Sequence, residues 1–183
     1  METKADPTMW TKHAMKNGLI LGIIHAAILL ILYAFIQSKL KGFSYILVIL
    51  VLNFGWTIYQ GSQWRNEIGG FMGYGDAFKY AILLLVFNGL VGLVFGIGLL
   101  LADPSFPEIM AQSQIDTAIY WAETFGAPAE SLDQMRDQMS VEEMAKEYTL
   151  TKSFISFGIA IGLYGVGALI MAIFIRKNQP ELM

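Results

Sequence analysis

Four long apolar runs punctuate this chain, at about Gly18–Gln37, Phe43–Gly61, Tyr80–Ala102 and Phe154–Ile175. A helix needs roughly 20 residues, at ~1.5 Å each, to cross a hydrocarbon core of about 30 Å. All four runs reach that length, the second with the least margin. Lys12 and Lys16 ahead of the first run imitate a signal peptide. The run is too long for that role, however, and Ser38-Lys39-Leu40-Lys41 lacks a small-x-small cleavage pattern, so a retained span is expected. A tight turn centred on Lys41-Gly42 would make the first two spans an antiparallel hairpin.

The polar stretches between the runs predict the rest. The link at 62–79 contains Gly69, Gly70, Phe71, Gly73, Tyr74 and Gly75. Its glycines allow positive φ, and its aromatics suit the headgroup level. Asp76 is placed to cap the third span. Asp103-Pro104 ends that span, because proline cannot continue a helix and restricts the residue before it. Ser105-Phe106-Pro107-Glu108 then has capping-box spacing with proline near the first helical position. It opens a helix to about Phe125 with Ile109, Ile115, Ile119 and Ala122 along one side, broken by Gly126-Ala127-Pro128. A second helix is expected near Ser131–Gln138. Ser140-Val141-Glu142-Glu143 repeats the capping-box spacing and opens a third, with Val141, Met144 and Tyr148 at helical intervals. The expected fold class is thus an all-α integral membrane protein of four transmembrane helices, with a helical acidic extramembrane insert between the third and fourth. Its organisation reads as an N-terminal segment (1–17), spans one to three (18–102), the insert (103–149), and the last span with its tail (150–183).

Composition supports bilayer as the solvent. Hydrophobic residues make up 55% of the chain, charged residues 15%, and mean hydropathy is +0.52, whereas soluble domains carry about 25% charged residues. With no cysteine, thiolate nucleophiles, disulfides and Cys-based metal sites are excluded. The net charge of −3 hides a segregation: ten acids face only Arg136 and Lys146 between Asp103 and Thr149. With the N-terminus inside, Lys4, Lys12, Lys16, Arg65, Lys79, Arg176 and Lys177 lie inside, and Lys39, Lys41, Arg136, Lys146 and Lys152 outside. Long loops count for little in the positive-inside rule, so N-in, C-in is expected.

Three sets of residues are candidate sites. Gly18 and Gly22, Gly92 and Gly96, and Gly158 and Gly162 are pairs four apart on three spans, continued on the last by Gly165, Gly167, Ala168 and Ala172. Small faces let helices approach closely in lipid. The plain reading is packing within one bundle, and the functional alternative is a face for a partner or another copy. His25, Asn53 and Asn88 all fall roughly 10–14 Å above the inner boundary at ~1.5 Å per residue. Intramembrane polar groups can mark a pathway, but hydrogen-bond glue between helices is the plainer role. No Asp, Glu, Lys or Arg lies deep in any span. The Gly-rich link lacks Gly-Lys-Ser/Thr and follows no strand, so it is an interfacial turn rather than a phosphate cradle. Arg65 and Lys79, with Trp64, Phe71 and Tyr74, could meet lipid headgroups or a partner's base. The carboxylates Asp137, Glu142, Glu143 and Glu147 have no histidine nearby, and a run of acids on amphipathic helices is usually a solvated face. No catalytic residue, metal site or cofactor is expected.

The run Trp64-Arg65-Asn66-Glu67-Ile68-Gly69-Gly70-Phe71-Met72-Gly73-Tyr74-Gly75-Asp76-Ala77-Phe78-Lys79 precedes a Gly-rich third span. Asp103-Pro104, an acidic helical insert, a last span and Arg176-Lys177 follow. From about Lys12 to Lys177 this resembles the bacterial family labelled domain of unknown function 4199, a family of small four-span inner-membrane proteins. The resemblance implies topology and a Gram-negative inner membrane, with the acidic insert in the periplasm, but no activity. The expected role is a non-enzymatic accessory or scaffold subunit. Small-residue faces would bind the helices of a larger membrane protein or another copy, and the acidic insert would bind a partner domain. The alternative is a small homo-oligomeric transporter or lipid-handling protein using His25, Asn53 and Asn88. No repeat relates spans one–two to three–four, which weighs against transport. Membrane lipids are expected neighbours, and nucleic acid is not.

Overall fold

The computed structural model describes residues 9–35 and 43–179. The expected Lys41-Gly42 turn, and Lys4 and Lys39 of the charge tally, lie outside the described residues. The helices are α1 (Trp10–Phe35), α2 (Phe43–Glu67), α3 (Tyr74–Ala102), α4 (Phe106–Thr124), α5 (Ala129–Gln138), α6 (Val141–Ala145) and α7 (Leu150–Ile175). Among the described residues there is no strand, only an isolated antiparallel bridge between Met72 and Lys177. Four helices, α1, α2, α3 and α7, are long and apolar enough to cross a membrane.

These helices outrun the apolar runs that announced them. α1 begins at Trp10, α2 continues to Glu67, and α3 starts at Tyr74. The link expected over 62–79 therefore shrinks to residues 68–73. Helical hydrogen bonding needs no apolar side chains. Lys12, Lys16, Gln63 and Arg65 are good helix formers that carry the helices past the apolar stretch.

The described residues fall into two compact units. The first draws on residues 9–25, Leu50–Gly92 and residues 157–179, and the second on residues 26–35, residues 43–49 and residues 93–156. In the first, each spanning helix with a buried stripe buries it at helical intervals. α1 buries Ala14, Asn17, Gly18, Leu21 and Gly22; α3 buries Ala77, Tyr80, Ala81, Leu84, Leu85 and Asn88; α7 buries Ala168, Met171, Ala172 and Ile175. Spacings of three and four put each set on one face. Small residues alternating with large ones let the backbones approach, so dispersion contacts rather than expulsion of water hold the helices together.

In the second unit, Phe106 and Met110 of α4 are buried against Leu29, Leu32 and Tyr33 of α1, Leu99 and Leu100 of α3, and Tyr148. α4 also packs against α5 and α6. Three helices occupy the 103–149 stretch, with two corrections. α6 ends at Ala145, which leaves Tyr148 in the connection after it rather than on the third helix. Ser105 forms no side-chain cap on α4. Its hydroxyl and backbone N–H instead donate to Asp103 Oδ1, at 2.7 and 2.8 Å. Ser105 has helical backbone angles itself, φ −84° and ψ −12°, whereas a side-chain cap needs the extended backbone that Ser140 has. The second capping box forms on one side, with Glu143 N–H donating to Ser140 Oγ at 3.4 Å.

Candidate functional site

The most organised part of the first unit is built around the Gly-rich link. Gly69 and Gly70 take φ of 113° and 87°, in the region that favours glycine, and turn the chain from α2 towards α3. Gly73 and Gly75 do not take positive φ, and Tyr74 and Gly75 belong to the first turn of α3 rather than to a loop. The link then holds the segment after α7. Met72 N–H donates to the Lys177 carbonyl, and Lys177 N–H donates to the Met72 carbonyl, both at 3.0 Å. Arg65 Nη1 donates to the Ile175 carbonyl at 2.7 Å, placing a cation on the last carbonyl of α7. The Tyr74 hydroxyl donates to the Leu169 carbonyl at 3.0 Å. Arg176 and Lys177 lie over the rings of Tyr74 and Phe71, at 5.9 and 5.7 Å from the centroids.

This arrangement encloses an open cavity of about 460 Å³ lined by Trp10, Trp64, Ile68, Phe71, Met72, Gly73, Asp76, Tyr80 and residues 177–179. A buried polar cluster adjoins its wall. The His13 ring lies 5.1 Å from Trp64 and 5.8 Å from Tyr80, centroid to centroid. His13 Nδ1 and the Tyr80 hydroxyl share a hydrogen bond of 2.7 Å whose donor depends on the imidazole tautomer. Asn17 Nδ2 donates to the His13 carbonyl at 2.9 Å, and Trp56 Nε1 donates to the Asn17 carbonyl at 3.1 Å. Sequence reasoning missed His13, Asn17 and Tyr80 as a group. The helical spacing of His13 and Asn17, one turn apart, was the available signal.

The three intramembrane polar residues do converge. Asn88 Nδ2 donates to Asn53 Oδ1 at 2.9 Å, tying α3 to α2. The His25 imidazole lies against the Asn88 side chain, and its Nε2 has no hydrogen-bond partner among the described residues. None of the three lines the cavity above, or a second one of about 430 Å³ beside Gln114, Tyr148 and Lys152.

The glycine pairs separate into two kinds. A Cβ on Gly18 would sit 2.3 Å from the Leu84 carbonyl oxygen, and one on Gly22 would sit 2.5 Å from Val91 Cβ, so this pair is consumed by the packing of α1 on α3. A Cβ on Gly92, Gly96, Gly158 or Gly162 would meet nothing within 4 Å among the described residues. Two other glycines also make close approaches. Gly61 accommodates Ile175 and Gly89 accommodates Tyr164. Neither belongs to a pair spaced by four, which is why spacing did not single them out.

In the second unit the acidic insert pairs its own cations. Arg136 bonds Asp133 at 3.2 Å, Lys146 reaches Glu142 at 3.6 Å and Lys152 reaches Glu147 at 2.8 Å, all exposed. Glu108, Glu123, Glu130, Asp137 and Glu143 have no cation within ion-pair distance among the described residues. Asp103 accepts from the Tyr33 hydroxyl and from Ser105, and these donors hold its carboxyl below the usual aspartate range, the Tyr33 hydroxyl most strongly. Among the described residues no three His, Asp or Glu side chains come together as metal ligands.

Four long apolar helices define the class: a multi-pass helical membrane protein. The chain matches the family described as "Protein of unknown function (DUF4199)" over residues 16–177, and it belongs to that family. No curated protein and no solved structure matches it.

Proposed function

We propose that this protein is a non-enzymatic accessory or scaffold subunit of a bacterial inner-membrane assembly, with both termini in the cytoplasm and the acidic insert in the periplasm. The observation that carries the reading is the open space at Gly92, Gly96, Gly158 and Gly162. Small residues that no described part of their own chain fills let a foreign helix come close enough for dispersion contacts to hold it. The unpaired acids of the insert favour a basic patch on the same partner and make its association sensitive to salt.

A second reading, a small homo-oligomeric transporter or lipid-handling protein, draws on the convergence of His25, Asn53 and Asn88. The hydrogen bond between the two asparagines and the absence of these residues from either cavity favour interhelical glue instead.

The test is an affinity purification in mild detergent from the native host, with mass spectrometry of what survives size exclusion. A stoichiometric larger membrane protein, lost in Gly92→Leu and Gly158→Leu variants that still fold, is the expected result. A lone homo-oligomer unaffected by those substitutions, with flux that depends on His25, would refute the accessory role.

A further inference from the structure

We infer that the cavity between the Gly-rich link and the segment after α7 binds a phospho-ammonium group, the zwitterionic chemistry of an ethanolamine phospholipid headgroup. The inference stands apart from the accessory role and rests on other residues. A volume of about 460 Å³ lies in the range of small-molecule clefts, ~300–1,000 Å³. The site occupies the ends of spanning helices. Trp10 opens α1, Trp64 lies in the last turn of α2, Asp76 lies in the first turn of α3, and Lys177 follows α7. That is headgroup level, where Trp and Tyr rings concentrate.

The two charges on its lining select the ligand. Lys177 Nζ rests over the Phe71 ring and has no carboxylate within ion-pair distance among the described residues, so it can take a phosphate oxygen. A simple amine would be repelled by it. Asp76 carries the opposite charge on the same lining, and its only ion pair among the described residues is with Lys79, at 3.3 Å on an exposed helix face. Exposed pairs of this kind are worth ~0–1 kcal/mol and yield readily to a better-placed cation. A purely anionic group would be repelled by Asp76. The half-buried Trp10 indole on the same lining can cover the ligand's methylenes, while Trp64 and Tyr80 lie buried behind the lining and packed against His13. A ligand bearing both charges complements both charged side chains of the lining.

The test uses the full chain in non-ionic detergent, titrated by calorimetry with dihexanoyl phosphatidylethanolamine, dihexanoyl phosphatidylglycerol and soluble phosphoethanolamine. The expected result is at least about tenfold tighter binding of the ethanolamine lipid than of the glycerol lipid, a difference of ~1.4 kcal/mol. Asp76→Asn should bring that ratio close to one, whereas Lys177→Gln should weaken both lipids alike. Both side chains are exposed, and the Met72–Lys177 bridge is made by backbone atoms, so both variants should keep the wild-type circular dichroism and melting midpoint. If phosphoethanolamine alone matches the lipid, the site takes the soluble form of the same chemistry. If it binds much more weakly, the lipid is the ligand. Equal or tighter binding of the glycerol lipid, or affinities unmoved by both substitutions, overturns the inference.

Discussion

Replacing Gly18 with alanine adds a single carbon where α1 touches α3. That carbon would lie 2.3 Å from the Leu84 carbonyl oxygen and 2.9 Å from Phe87 Cβ, whereas ordinary contact starts near 3.4 Å. The closest obstacle is backbone inside a long helix, so it cannot swing aside, and the two helices must part by about 1 Å, the shortfall between those two distances. A gap of ~0.5–1 Å forfeits a quarter to a half of each dispersion contact along the seam, which here includes Ala14, Leu21, Ala81 and Leu85. Overpacking of this kind costs ~1–3 kcal/mol, while alanine in place of glycine returns up to ~1 kcal/mol of helix propensity. The net expectation for Gly18→Ala is a loss of about 1 kcal/mol, within a range of ~0–2 kcal/mol. Gly92→Ala is the matched control, since its new carbon meets nothing within 4 Å among the described residues and the propensity gain remains. Titration with SDS from mild-detergent micelles, followed by tryptophan fluorescence, reads both. A Gly18→Ala variant as stable as Gly92→Ala would refute the packing argument.

Three further outcomes follow from the same structure. Asn88→Ala removes the bond to Asn53 and should cost ~0.6–1.7 kcal/mol in the same titration. Because the Asp103 carboxyl is held below its usual range, chiefly by the Tyr33 hydroxyl, its bonds stabilise the fold at pH above the ordinary aspartate pKa. That contribution is lost as pH falls through the lowered value. Acidification should therefore erode wild type more than Asp103→Asn, and Tyr33→Phe should move the loss to higher pH; parallel stability curves for wild type and Asp103→Asn would contradict this. Met72 and Lys177 exchange both backbone hydrogen bonds, a pairing with Cα atoms ~5.5 Å apart that suits a disulfide. In this cysteine-free chain, Met72→Cys with Lys177→Cys should oxidise to an intramolecular crosslink seen as a gel shift. Adding Gly70→Ala, at φ 87°, should slow its formation, and adding Gly73→Ala should not.

The four spans were legible because an apolar run of about twenty residues matches the thickness of a bilayer core and suits little else. The insert's helices were legible because Pro107, Gly126 and Pro128 punctuate them. Span ends were less so. Lys12, His13, Lys16 and Asn17 look like a polar leader until one sees that they continue α1. The depth shared by His25, Asn53 and Asn88 was an expectation from counting residues, and the structure joins Asn53 to Asn88 by a hydrogen bond. Whether a glycine is filled could not emerge that way. Gly18–Gly22 and Gly158–Gly162 have the same spacing, and only the neighbouring helix makes one a seam and leaves the other open. The cavity was hidden for a similar reason: Trp10, Trp64, Asp76 and Lys177 come from four separate stretches of chain. The aromatic and basic character of the link was visible, but its hold on the last helix was not.

That hold sets an order of assembly. Among the described residues, the N–H and carbonyl of Met72 find their partners in Lys177, and the guanidinium of Arg65 finds its carbonyl at Ile175. A ribosome delivers the link long before it delivers those partners. Until α7 is made, the turn between α2 and α3 therefore stands without these partners, and the residues that finish α7 close it. The segment after α7 thus serves as a clasp, and its closure distinguishes a finished bundle from one still waiting for its last helix.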